Sequence, residues 1–207
     1  MEAYTTVRQI GTAEIEEKKS IFIGNAAPVE TEKEAVAFIE RIRSSMPDAR
    51  HHVYAYLLRE GNTTRYSDDH EPQGTAGIPV LEVIRKAGCT DTVIVVTRYF
   101  GGILLGTGGL CRAYTAAAVA ALGAAEVVTR RSLTELLVSC GYSEYQKLLP
   151  EFSKLGALID GTDFADAVSV RIAVLSEKTE ETVRRMTEIC AGRVKIEEIG
   201  TRFDIYS

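Results

Sequence analysis

The chain has 207 residues and a formal net charge of -5, with 45% hydrophobic and 26% charged residues. That is the composition of a soluble globular protein and a length natural for two ordinary domains. No apolar run approaches the roughly 20 residues of a membrane helix. The N-terminus, MEAYTTVRQIGTAEIEEKKS, is polar and acidic, so no secretory signal is expected and the reading is cytoplasmic. Residues 1–130 and 131–207 are each mildly acidic, which excludes a basic nucleic-acid module in bulk and leaves only a local patch for RNA or DNA.

In chain order, Thr5–Ile15 alternates weakly, Glu14–Lys19 marks a hairpin turn or an exposed edge, and Ser20–Val29 reads as a strand. Thr31 followed by Glu34 has capping-box spacing, and the helix it opens carries Ala35, Phe38, Ile39 and Ile42 on one side until Pro47. Arg50–Arg59 reads as a strand, Gly61–Asn62 as a turn and Thr63–Ser67 as its return. Ser67–Pro79 is an acidic, Pro- and Gly-punctuated loop, followed by a short helix at Val80–Lys86 that stops at Gly88. Val93–Thr97 is a buried strand; a glycine-dense turn and an alanine-rich helix, Leu110–Leu122, follow. Beyond residue 130 the order is β-α-β-β-α-β: strands at Ser132–Cys140, Gly156–Thr162, Ala165–Val174 and Arg193–Ile205, helices at Tyr142–Lys154 and Glu177–Ala191. That order is ferredoxin-like. The expected class is α+β in two domains, 1–130 and 131–207.

Four features could carry chemistry. Gly101, Gly102, Gly106, Gly108 and Gly109 put five of the 17 glycines within nine residues, between a strand and a helix. That layout presents backbone N–H groups to phosphate. It matches neither a Walker A loop, since Leu110 follows Gly109, nor a dinucleotide fingerprint, since Cys111 fills the third glycine's place. The alternative role is close packing of the alanine-rich helix on the sheet. Arg112, in what reads as the first helical turn, sits at the positive end of the helix dipole, which favours a ligand there. Arg98 and Arg65 could join it around phosphate oxygens; the alternative is internal pairing with Asp68, Asp69 and Glu71. Those three acids with His70 suit metal or acid/base work, or the bracing of their own loop. Tyr54, Tyr56, Tyr66, Tyr99 and Phe100 suit either base stacking or ordinary packing. His51 and His52 alternate faces of a strand. Cys89, Cys111, Cys140 and Cys190 are too scattered for a metal site and read as reduced thiols, so no metal and no cofactor is expected.

HHVYAYLL, YSDDHEPQGTAGIPVLEVI and VVTRYFGGILLGTGGLCRAYTAA resemble the YigZ/IMPACT family of conserved uncharacterised proteins, over about residues 1–128. The remainder resembles the small C-terminal domain of its bacterial members. The family reads DDGEP where this chain has His70 in place of the glycine. The resemblance implies an N-terminal domain similar to a small-subunit ribosomal protein domain and to domain IV of elongation factor G, and a C-terminal domain similar to domain V of that factor. By fold analogy it implies RNA or ribosome contact and a link to translation regulation. Eukaryotic members restrain an amino-acid-starvation kinase pathway through an extra N-terminal domain that this sequence does not show. The leading expectation is a non-enzymatic RNA- or ribosome-associated protein, meeting phosphate at Arg65, Arg98, Arg112 and the glycine loop. The rivals are an enzyme for a small phosphorylated or carboxylated ligand in that cleft, using Asp68, Asp69 or Glu71, and a protein–protein adaptor.

Overall fold

The computed structural model describes residues 3–206; residues 1, 2 and 207, which the domain limits above include, lie outside it. The class is α+β, with two antiparallel sheets and five helices among the described residues. Two compact units divide the chain, Tyr4–Thr129 and the segment from Arg130 onward, and the division falls inside one long strand.

The first unit contains β1 (Ala3–Val7, but for its first residue), β2 (Gly11–Glu17), β3 (Ser20–Pro28), α1 (Glu32–Ser45), β4 (His51–Leu57), β5 (Thr64–Ser67), α2 (Gly77–Lys86), β6 (Thr92–Tyr99) and α3 (Gly106–Ala124). Its sheet has the order β2-β3-β6-β4-β5, each pair antiparallel. β6 is central and buried on both faces, so it reads as a continuous apolar run. Its period of two divides the core. Val93 and Val95 pack with Phe38, Ile39 and Ile42 of α1, whereas Ile94 and Val96 pack with Val80 and Ile84 of α2 and Ala117 and Ala121 of α3.

The capping box of α1 is complete: Thr31 Oγ1 accepts from the Glu34 N–H at 3.2 Å, and the Glu34 carboxylate accepts from the Thr31 N–H at 3.4 Å. Thr31→Ala is expected to lower unfolding stability by about 1 kcal/mol, read as a shift in the urea midpoint at constant slope.

Several boundaries differ from the sequence reading. The weak alternation over Thr5–Ile15 resolves into two strands, β1 and β2. Helix α2 starts at Gly77, before Pro79, because a carboxylate from outside the helix caps it. Asp68 accepts from the N–H groups of Gly74, Ala76 and Gly77 at 2.8–3.1 Å. Helix α3 starts at Gly106, one turn before Leu110, so Arg112 lies in its second turn and not its first.

In the second unit the order read from the sequence is the order observed: β7 (Val127–Cys140), α4 (Tyr142–Lys154), β8 (Leu158–Phe164), β9 (Val168–Leu175), α5 (Thr179–Ile189) and β10 (Val194–Ile205). β9 lies between β7 and β8, and β10 pairs with β7 on its other side, all antiparallel. Leu136, Val138, Val170 and Ile172 of the sheet pack with Leu148 and Phe152 of α4 and Met186 of α5.

Candidate functional site

Between β5 and α2 the acidic loop folds onto one end of the first sheet. Each of its three carboxylates is committed to the protein itself. Asp68 caps α2, as described. Asp69 accepts from the His52 backbone N–H at 2.6 Å and from the Arg43 guanidinium at 3.0 Å. The Asp69 carbonyl lies 2.9 Å from His51 Nδ1. Asp69 and the exposed His70 both hold left-handed backbone angles, φ 40° and 70°. Histidine thus occupies a position whose angle suits glycine, which accounts for a glycine at this place elsewhere in the resemblance.

Glu71 turns inward. Its Oε1 accepts from Arg98 Nη1 at 2.6 Å and from the Tyr114 hydroxyl at 2.8 Å. The two charged side chains are only 7% and 4% exposed. The Arg98 guanidinium carbon lies 5.4 Å from the ring centre of Phe22 and 5.5 Å from that of Phe100, in cation–π range of both. Burial, then the neighbouring Glu71 carboxylate, push the Tyr114 hydroxyl far above its ordinary pKa, so it is a fixed donor. His52, buried and 3.0 Å from Thr97 Oγ1 through Nδ1, has its pKa lowered, first by burial. Among the described residues no group of His, Cys, Asp and Glu could hold a metal ion, and all four cysteines are free.

The three arginines expected to converge do not. Arg98 faces the α2–α3 side and is spent on Glu71. Arg65 lies on edge strand β5 opposite Tyr56, which faces Val93, while Arg98 faces His51. Five positions of β6 separate the two rows, about 17 Å at strand rise. Arg65 instead lies 3.7 Å from Glu32 of α1. Arg112 is exposed, and its Nη1 would lie 3.6 Å from a Cβ built on Gly108. It leans back over the first turn of α3.

The glycines divide too. Gly101 passes against the backbone of Lys19, where a Cβ would sit 2.0 Å from the carbonyl. Gly102 and Gly106 have positive φ, 83° and 71°. Gly106 and Gly108 are exposed in the first turn of α3, with Gly109 half-buried against Leu105. Leu105, the N-cap, contributes no side-chain hydrogen bond, and the first turn holds no acid. The N–H groups that open this 19-residue helix are therefore without a side-chain cap. Of the five aromatics, Tyr56 is buried and donates to Glu32 at 2.7 Å, while Tyr66 and Phe100 are exposed.

Sequence reasoning missed Arg43 and Tyr114, which hold Asp69 and Glu71. Arg43 ends an amphipathic helix and looks like a solvated cation. For Tyr114 the available signal was its four-residue spacing from Leu110 on the core side of α3.

Residues 18–122 match the family model for the Impact N-terminal domain, and residues 138–193 match that for a domain of unknown function, DUF1949. The chain belongs to the IMPACT family. It is 37% identical to the IMPACT family member YvyE of Bacillus subtilis, over 96% of this chain and 92% of the relative. It is 34% identical to YigZ of Escherichia coli, over 86% and 89% respectively. The Dictyostelium discoideum IMPACT homologue is 36% identical over 44% of this chain, which corresponds to 28% of that protein. A crystal structure described as that of a hypothetical protein matches with a TM-score of 0.62 and 32% identity, over 97% of this chain and 98% of the other. Among the described residues no helix is long and apolar enough to cross a membrane.

Proposed function

We propose that this IMPACT-family chain is a non-enzymatic cytosolic factor that associates with RNA, of the ribosome or linked to translation, through phosphate held at the start of α3. One observation carries the reading. The opening of α3 is uncapped and glycine-lined, and the exposed guanidinium of Arg112 leans over it. Free N–H groups, the positive end of the helix dipole and a guanidinium form a site for phosphate oxygens. Glycine lets a phosphate approach the backbone closely. The exposed side chains of Ile103 and Leu104 flank the same turn and offer apolar surface to bases. With a net charge of -5, the contact is local and not a field effect of the whole molecule.

The test is binding to purified ribosomes and to single-stranded RNA at two salt concentrations. Affinity should fall as salt rises, because neutralised phosphates release counterions. Arg112→Glu should weaken binding tenfold or more and flatten the salt dependence, with an unchanged thermal unfolding midpoint. Equal affinity of the variant and the parent chain would overturn the reading.

A further inference from the structure

At the end of β6 a separate cavity of about 300 Å³ is lined by Asp48, Ala49, Arg50, Arg98, Tyr99 and Phe100. The segment 48–50 enters β4, and the antiparallel register that sets His51 opposite Arg98 brings it there from 48 positions away in sequence. We propose that this cavity is a binding site for a single nucleotide unit, with its phosphate on Arg50 and Arg98 and its base on the ring of Phe100.

Arg98 is the built part of the site. The residue is 6% exposed, held by Glu71 on one nitrogen and in cation–π range of Phe22 and Phe100. Its Nε is buried with no acceptor. A guanidinium carries five N–H donors, and Glu71 occupies Nη1 alone. A small shift of the head group toward a ligand oxygen in the cavity would satisfy the deficit. Glu71 already neutralises Arg98, so the charge available to a ligand is that of Arg50, which is exposed and in no ion pair among the described residues. Its free guanidinium favours an anionic ligand. Bidentate guanidinium geometry favours phosphate or carboxylate oxygens.

The rest of the lining asks for more than an anion. Phe100 is 54% exposed, so its ring is covered only in part by Arg98. Such a ring is a stacking platform for a base. Asp48, exposed and acceptor-only when ionised, suits the amino or imino N–H of a base. The volume lies at the lower limit of small-molecule sites, enough for a nucleoside monophosphate and too little for a folded RNA element. The nucleotide could arrive free or as an unpaired member of a strand. Its site does not use the opening of α3.

Calorimetric titration of the full chain tests this, with adenosine, guanosine and uridine 5′-monophosphates, ribose 5-phosphate, inorganic phosphate and a four-nucleotide RNA. At least one monophosphate should bind saturably, and at least tenfold more tightly than ribose 5-phosphate or inorganic phosphate. Arg50→Glu and Phe100→Ala, both on exposed side chains, should each weaken it tenfold or more without moving the thermal unfolding midpoint. Tighter binding of the tetranucleotide assigns the site to an RNA strand; tighter binding of the monomer assigns it to the free nucleotide. Absence of saturable binding, equal affinity for ribose 5-phosphate, or indifference to both substitutions overturns the proposal. Arg112→Glu should leave monophosphate affinity unchanged, so failure at this cavity and failure at α3 are separate results.

Discussion

Replacing Glu71 by alanine is expected to lower the free energy of unfolding by about 3–5 kcal/mol, the usual cost of orphaning one member of a buried ion pair. Arg98, buried at 7% exposure, would be left with no counter-charge, and the Tyr114 hydroxyl would lose its acceptor. Attraction alone does not set that size. Desolvation of the surviving guanidinium dominates, which gives a sharp control. Glu71→Met combined with Arg98→Met should recover most of the loss, since apolar pairs of similar volume replace buried ion pairs at little cost. The exposed pair Glu82–Arg85 has nearly the same geometry, 2.9 Å, but its side chains are 42% and 49% exposed. Glu82→Ala should cost between about 0 and 1 kcal/mol, because water screens the pair and replaces the lost partner. Urea unfolding of the four proteins separates the cases. A loss below about 1 kcal/mol for Glu71→Ala would mean that Arg98 finds water or another acceptor, and that the acidic loop is not pinned to the sheet.

That network marks where the sequence stopped being legible. Local rules carried far. Thr31 and Glu34 announced the start of α1, and Ala35, Phe38, Ile39 and Ile42 announced its buried side. The run Val93–Thr97 forecast a buried strand, and the spacing of apolar residues beyond 130 forecast β-α-β-β-α-β. Whether a charged side chain turns inward or outward depends on register between distant strands. Arg65 and Arg98 look alike as cations beside aromatics. Pairing through β4 then puts them at different ends of the sheet, and strand parity sends Arg98 to the side of Ile94 and Val96. Both roles weighed for the acidic loop were physically sound. The distances show the bracing contacts: Asp68 reaches α2, Asp69 reaches β4 and Arg43, and Glu71 reaches Arg98. The start of α3 was misplaced by a turn because glycine is a poor guide to helix boundaries. It is unfavourable within a helix, yet three of the first four positions here are glycines.

Close packing of the alanine-rich helix is the alternative role weighed for the glycine-dense loop, and the structure gives that packing to another glycine, which can be tested by the sign of a stability change. The glycine that lets α3 approach the sheet is Gly24 on β3. A Cβ there would lie 2.5 Å from the Ala117 carbonyl oxygen and 2.9 Å from the Ala121 Cβ. Neither atom can yield alone, since one is helix backbone and the other is fixed to it. Gly24→Ala should therefore destabilise by about 1–3 kcal/mol, as over-packing does. Better strand propensity returns at most about 1 kcal/mol of that. Gly108, in the exposed first turn of α3, meets only the mobile end of Arg112 at 3.6 Å. Gly108→Ala should stabilise by up to about 1 kcal/mol through the backbone entropy of the unfolded chain and better helix propensity. Two identical substitutions at two glycines thus move the urea midpoint in opposite directions. If both stabilise, α3 has room to lift from β3 and the core between Phe22, Tyr114 and Ala117 is looser than its burial indicates. If both destabilise, the opening of α3 needs a bare backbone even without a ligand, and the phosphate contact there loses its structural rationale.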